Sequence, residues 1–238
     1  MQTERIVRRK LSDEVLDRLL RVISEGELKP GDAMPSEREL MTRFGVGRPA
    51  IREAMQALAN MGLVSISHGE RARVQELTAQ SIIRQVDQSA HIMLSRSSDS
   101  LEHLKNARLF FERGMVREAA LKATDDDVAA LRRILEQQRE ALGDAKQFMA
   151  ADMRFHTRIA AISGNPIFVS ASEAMLGWLK AYHVELLIWS GKEKHTLAEH
   201  EAIITAIAAH DADAAEAALV KHLERSQSLY GHGGTSRA

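Results

Sequence analysis

Asp152 and His156 stand four residues apart within an amphipathic stretch that also holds Phe148, Met149, Phe155, Ile159 and Ile162. On a helix this spacing projects both side chains from one face, one turn apart, which suits two ligands of a single metal ion. His200 falls on a later stretch with Ile203, Ile204 and Ile207, and His222 on the last one, beside Leu219 and Leu223. One carboxylate and three imidazoles from three helices can meet inside a bundle. The chain has no cysteine, so a metal would be held by nitrogen and oxygen alone. Zinc is the first expectation, with nickel and manganese also compatible, because the affinity order alone does not choose among them. The competing reading is that these histidines are hydrogen-bonded core residues. His183, His195 and His210 are equally visible in composition, and only the helix-face argument separates them.

A second group of residues suits nucleic acid. Arg48 and Arg52 lie one turn apart on the face opposite Ile51, Met55 and Leu58, so both can enter a major groove while the apolar stripe packs inward. Arginine reads guanine through paired bonds to O6 and N7, worth roughly 1–3 kcal/mol against the wrong base. Arg38, near the start of the preceding helix, is placed for a phosphate or a base edge. Ser36 and the amides at helix starts can hold phosphates. The tip His68-Gly69 of a following hairpin is small enough for a minor groove, with Arg71 beside it. The alternative is a solvated helix face whose arginines pair with neighbouring glutamates such as Glu53.

The positioning elements are written in the periodicity. Leu11, Val15, Leu16, Leu19, Val22 and Ile23 recur at helical spacing, and Gly26 stops the run. Lys29-Pro30-Gly31-Asp32 reads as a turn. Ser36 with Glu39 three residues on is a capping box, and Gly45 ends the second helix. The third starts near Gly47, tolerates Pro49 in its first turn, buries Ile51, Ala54, Met55, Leu58 and Met61, and ends at Gly62. Leu63-Val64-Ser65-Ile66-Ser67 then alternates with period two, as a strand does. Beyond this the pattern is helical throughout, over about 80–95, 99–122, 125–142, 145–163, 166–190, 196–210 and 212–230. Thr124 with Asp127 reads as a cap, and Gly143, Gly164 and Gly191 punctuate.

The fold expected is mainly α. A winged helix-turn-helix over 1–75 is followed by a linker at 76–84, an all-α antiparallel bundle of six or seven helices over 85–230, and a disordered tail at 231–238.

With 238 residues the chain suits two domains. Residues 1–75 hold thirteen Lys/Arg against eleven Asp/Glu, and the remainder nineteen against twenty-two. That asymmetry is slight, so a DNA-binding reading rests on where the arginines point. No run of eighteen apolar residues exists, the start is polar, and cysteine is absent. These features predict no membrane helix, no signal peptide and a cytoplasmic location.

Residues 11–75 resemble the winged-helix domain of the GntR family of bacterial transcription regulators, most specifically at Pro35-Ser36-Glu37-Arg38-Glu39-Leu40 and Arg52-Glu53-Ala54. The resemblance implies that Arg38, Arg48, Arg52 and Gly69 contact operator DNA. Gly47 and Pro49 depart from the hydroxyl residues common at those positions. Residues 85–230 resemble the FCD-type sensor of the FadR subfamily, through Arg108-Leu109-Phe110-Phe111-Glu112, Asp152-Met153-Arg154-Phe155-His156, Gly164-Asn165-Pro166 and the two later histidines. That resemblance implies metal ligation by Asp152, His156, His200 and His222, and a cavity for a small carboxylate effector lined by Arg108 and Asn165. Val46-Gly47-Arg48-Pro49, Gly69-Glu70-Arg71-Ala72-Arg73-Val74 and Gly164-Asn165-Pro166-Ile167-Phe168 are similar to the sialic-acid-responsive members of the family.

The function expected is a ligand-responsive transcription regulator, a repressor of a carboxylate or sugar-acid catabolic operon, that binds a pseudo-palindromic operator as a homodimer and senses its effector at the metal site, with no catalytic residues. The alternatives are a regulator with a purely structural metal, or a metal-dependent hydrolase fused to a DNA-binding domain. The hydrolase lacks a His-Glu-x-x-His pattern, and Glu201, next to His200, points to another helix face.

Overall fold

The computed structural model describes residues 9–67, 69–95, 99–183 and 193–230. The chain divides into two compact units, Met1–Gln85 and Val86–Ala238.

In the first unit, α1 (Leu11–Ser24), α2 (Glu37–Phe44) and α3 (Arg48–Asn60) precede a hairpin of β1 (Val64–Ser65) and β2 (Arg73–Val74). Ser36 caps α2 as its spacing requires: the hydroxyl accepts from the Glu39 amide at 3.2 Å, and the Glu39 carboxylate takes the Ser36 amide at 2.7 Å. Gly45 ends α2 in the left-handed region at φ 66°, which glycine enters without steric cost. Val15 and Leu19 of α1, Leu40 of α2, Ile51 and Leu58 of α3, and Val64 and Val74 of the hairpin form one core. Met61 departs from the predicted stripe. It lies past the last helical residue and is 42 % exposed, because the chain has already turned away from the core.

The hairpin pairs Val64 with Val74 and Ser65 with Arg73, so both valines face inward. The segment after the predicted turn at residues 29–32 also joins it. The Val74 amide donates to the Asp32 carbonyl at 2.9 Å and the Met34 amide to the Ala72 carbonyl at 2.7 Å, flanking β2 on its other side. One bridge is too short to show alternation in a sequence.

Thereafter the described residues are helical: α4 (Ala79–Ser95), α5 (Ser100–Lys122), α6 (Asp125–Glu140), α7 (Ala145–Ile162), α8 (Pro166–His183), α9 (Glu193–Ala208) and α10 (Ala212–Tyr230). The mainly helical architecture expected from periodicity is what the chain adopts. The later part of the predicted 166–190 helix, Gly191 and the predicted tail at 231–238 lie outside the described residues. Caps set the starts. Thr124 and Asp127 form a second capping box, Asp144 accepts from the Gln147 amide, and Asp211 accepts from the Ala214 amide.

Within this unit α10 packs on α5 and α9, α6 on α7 and α9, and α8 on α7 and α5. Val116, Ala119, Leu131, Phe155, Ile203, Ile207 and Leu219 are fully enclosed between them. The buried face of α5 is unusual: it is apolar at Met115, Val116 and Ala119 but polar one to three turns earlier, at Lys105, Arg108 and Glu112. Burying charge is costly unless it is paired, so this polar stretch marks where the bundle does something other than pack.

Candidate metal centre and DNA-reading face

The polar stretch of α5 faces the predicted ligand set. Asp152, His156, His200 and His222 each offer one donor atom, and the four donors lie within 4.8 Å of one another. The His200 Nε2 is 3.4 Å from the His222 Nε2 and 3.5 Å from an Asp152 oxygen, and the His156 Nε2 is 3.8 Å from the other Asp152 oxygen. Neighbouring donors on a tetrahedral ion with bonds of about 2.1 Å stand about 3.4 Å apart. The three imidazoles are buried and Asp152 is partly open.

Two of the imidazoles are held by a hydrogen bond at their other nitrogen, and the third faces a carboxylate there. The His156 Nδ1 lies 2.6 Å from Glu112 on α5, the His200 Nδ1 donates to the Gln138 carbonyl oxygen on α6 at 2.8 Å, and the His222 Nδ1 donates to Glu199 on α9 at 2.9 Å. A ring that donates from Nδ1 is in the tautomer whose lone pair sits on Nε2. The His200 and His222 lone pairs therefore point inward. Gln138 also donates its amide to Asp152 at 3.2 Å, so one neutral side chain fixes two of the four donors. Phe155 stacks on the His200 ring, centroids 4.0 Å apart and planes 13° apart.

The holding carboxylates are themselves matched. Arg108 donates Nε to Glu112 at 2.5 Å with both side chains buried, and Arg225 grips both Glu199 oxygens at 2.6 and 2.7 Å. Burial pushes the Glu112 carboxyl up, but the Arg108 charge and His156 outweigh it and leave it well below the ordinary range. Burial likewise raises Glu199, and the bonds from His222 and Arg225 bring it down to about 2. Burial, with the neighbouring imidazoles adding to it, lowers His200 well below its usual value; His222 is lowered by burial against the pull of Glu199. Both rings are therefore neutral at pH 7, the form that ligates.

These residues fit a divalent ion. The donor set is three nitrogens and one oxygen, and both His156 nitrogens are buried without a hydrogen-bond partner, Nδ1 lying beside Glu112 and Nε2 facing the other donors. Such an atom costs about 1–3 kcal/mol unless something takes its lone pair.

The other predicted effector residues fall in two places. Arg108 is one side chain from the cluster, through Glu112. Asn165 sits in the α7–α8 turn, where its side-chain oxygen accepts from the Ile167 amide at 2.9 Å. His195 is exposed and His210 turns its Nδ1 to the Ala120 carbonyl. Trp178 packs with Leu94, Leu104 and Leu179 and donates to Asp87. Glu112, Gln138, Glu199 and Arg225 are not in the predicted set. Only the Arg108–Glu112 spacing of four carried a signal in the sequence.

In the first unit Arg48 and Arg52 project from α3 away from its buried stripe. Their partner is Glu37, at the start of α2, rather than a glutamate on α3. The Arg52 Nε donates to one Glu37 oxygen at 2.8 Å, and the Arg48 Nε lies 3.6 Å from the other. Arg38 and Arg71 are exposed. The Ser36 amide and hydroxyl, then the Arg71 and Arg38 charges, hold the Glu39 carboxyl below its ordinary value. The Ser36 hydroxyl is engaged with the Glu39 carboxylate at 2.7 Å. Gly69 adopts φ 79°, as a tight hairpin tip needs, and His68 lies outside the described residues.

Comparison with known proteins agrees with this division. Residues 11–74 match the profile of bacterial regulatory proteins of the gntR family, and residues 103–225 match the FCD domain. The HTH-type transcriptional repressor NanR of Klebsiella aerogenes is 42 % identical over 224 residues, covering 92 % of this chain and 85 % of that protein. The repressor of the same name from Escherichia coli K12 is 40 % identical over 225 residues, covering 94 % and 85 %. Among solved structures, Streptococcus agalactiae GntR superposes with a TM-score of 0.71 at 25 % identity, covering 91 % of this chain and 99 % of that one.

Proposed function

The chain belongs to the GntR family of bacterial regulatory proteins and carries an FCD domain; from that premise we propose that it is a metal-loaded repressor whose DNA affinity responds to a small carboxylate. The observation that carries the reading is the convergence of four donors from α7, α9 and α10, with the His200 and His222 rings turned Nε2-inward. Asp152, His156, His200 and His222 would hold the ion, zinc first, with nickel or manganese as alternatives. A divalent ion there supplies an electrophilic centre for a carboxylate oxygen. Arg108, paired with Glu112, lies beside the site, and Asp152, the one donor open to solvent, marks the side from which a ligand arrives. The effector class is a carboxylate or sugar acid, sialic acid being the member to which the sequence motifs point.

DNA contact is assigned to Arg38, Arg48, Arg52 and Arg71, with the Gly69 tip in the minor groove and helix-start amides at phosphates. Ser36, whose amide and hydroxyl both engage Glu39, is assigned to the phosphate contact through the helix start it caps. A homodimer would place two such units on a pseudo-palindromic operator, since a two-fold protein matches a two-fold site. Effector and operator then compete or cooperate through their unequal affinities for two states of the chain. Among the described residues no helix is long and apolar enough to cross a membrane.

The experiment is a thermal-shift series on zinc-loaded protein with small carboxylates, N-acetylneuraminic acid among them, against matching neutral sugars. Only a sensor gains stability from the acids, rising with the logarithm of ligand concentration over its Kd. Equal curves for acids and neutral sugars would leave the metal structural. For the DNA face, Arg52→Ala should weaken binding to the preferred duplex by about tenfold at fixed salt, the value of one paired guanine contact. A gel-shift titration with unchanged affinity would remove Arg52 from the reading set.

A further inference from the structure

We infer that Glu37 is a positioning residue for base readout: it bonds the Arg52 Nε, draws in the Arg48 Nε by charge, and leaves the terminal nitrogens of both to the DNA. This rests on the assignment of Arg48 and Arg52 to the major groove.

The argument begins with the guanidinium. It carries one N–H on Nε and four on the two terminal nitrogens, and it can address an acceptor pair either side-on, through Nε and one Nη, or end-on, through both Nη atoms. Guanine presents O6 and N7 as such a pair. An arginine free in solvent samples both modes and many rotamers, and ordering it costs entropy when it binds. Here the Arg52 Nε is bonded to Glu37 at 2.8 Å, and the Arg48 Nε lies 3.6 Å from the other oxygen of the same carboxylate, an ion pair beyond hydrogen-bond length. The side-on mode is closed to Arg52, and the end-on fork points away from its anchor. Both arginines remain more than half exposed in this arrangement, at 60 % and 65 %, so the pairing orients them without burying them.

Glu37 is suited to the task by its own place. As the first residue of α2 it sits where the helix dipole favours a negative charge, and the Ser36–Glu39 capping box fixes the backbone on which it stands. Its two oxygens serve two different arginines one turn apart on α3, so a single side chain sets the spacing of both forks. An exposed pair of this kind contributes little to folding. Its effect lies in which duplexes bind.

The two roles separate by charge. A carboxylate near DNA repels phosphate, so removing it raises affinity for any duplex; an aligning carboxylate raises affinity for the correct duplex only. The test uses the full-length chain with two probes: the duplex that wild type enriches from a random-core library, and a shuffled duplex of the same composition. Fluorescence anisotropy at one fixed salt concentration gives the ratio of the two affinities. Glu37→Ala should lower that ratio by about tenfold, with binding to the shuffled duplex unchanged or tighter. Glu37→Asp, which keeps the charge but shortens the reach, should fall between. A ratio equal to wild type in both variants overturns the inference, as does an equal gain on both probes, which is repulsion alone. A parallel loss on both probes with a lowered melting temperature in both variants also overturns it, since that is a folding role. If wild type enriches no duplex, the assignment of the arginines fails first and the inference with it.

Discussion

Glu112→Ala is expected to destabilise the C-terminal unit by about 3–5 kcal/mol, the cost of removing one partner from a buried ion pair. Arg108 and Glu112 are 8 % and 4 % exposed at their side chains, so solvent screens the pair little. The carboxylate also faces His156 at 2.6 Å, so its loss frees one ring of the cluster as well as one guanidinium. The size of the effect follows from what is left behind rather than from the strength of the bond. For that reason the double replacement Arg108→Met with Glu112→Met should cost less than Glu112→Ala alone, because it leaves no charge in the core. Urea unfolding followed by circular dichroism measures both. A single variant as stable as wild type would mean that the pair is hydrated in solution and not part of the core.

The second large effect concerns the ion. Protein purified without chelator should carry about one divalent ion per chain, and Asp152→Ala should carry close to none by elemental analysis. Asp152 is the only anionic donor of the four, and its partial exposure makes the substitution tolerable for folding. At a metal concentration about a thousand times Kd, the ion adds about 4 kcal/mol of stability to wild type. The variant should show no metal-dependent rise in melting temperature, and with it no response to carboxylates. Full metal content in Asp152→Ala would remove this residue from the ligand set.

The helices and their ends were legible because their causes are local. The capping boxes Ser36–Glu39 and Thr124–Asp127 need only a hydroxyl and a carboxylate three residues apart. The spacing of Asp152 and His156 put them on one face, and apolar neighbours of His200 and His222 turned those rings inward. What could not be read is whatever crosses between helices. Gln138 is an uncharged residue on an ordinary amphipathic helix, and its hold on His200 and Asp152 exists only once α6 packs on α7 and α9. Glu199 adjoins His200 in sequence but serves His222, because adjacent helical residues diverge by about a quarter turn. Glu37 escaped for the same reason: a search along α3 finds Glu53, while the carboxylate that holds the arginines is fifteen residues upstream on another helix. Arg108 was visible as a cation, but its nearest obligation is to Glu112, one turn along its own helix.

The pairing of Glu112 with Arg108 and of Glu199 with Arg225 has a consequence for the order of assembly. With those charges cancelled and the His200 and His222 rings held neutral by burial, the Asp152 carboxylate gives the donors by themselves a negative sign, and that sign repels organic anions. A dication reverses it. The same pocket then attracts what it formerly turned away, so an acid should be invisible to the chain until the cation has loaded, and cation supply sets whether the acid can be heard at all.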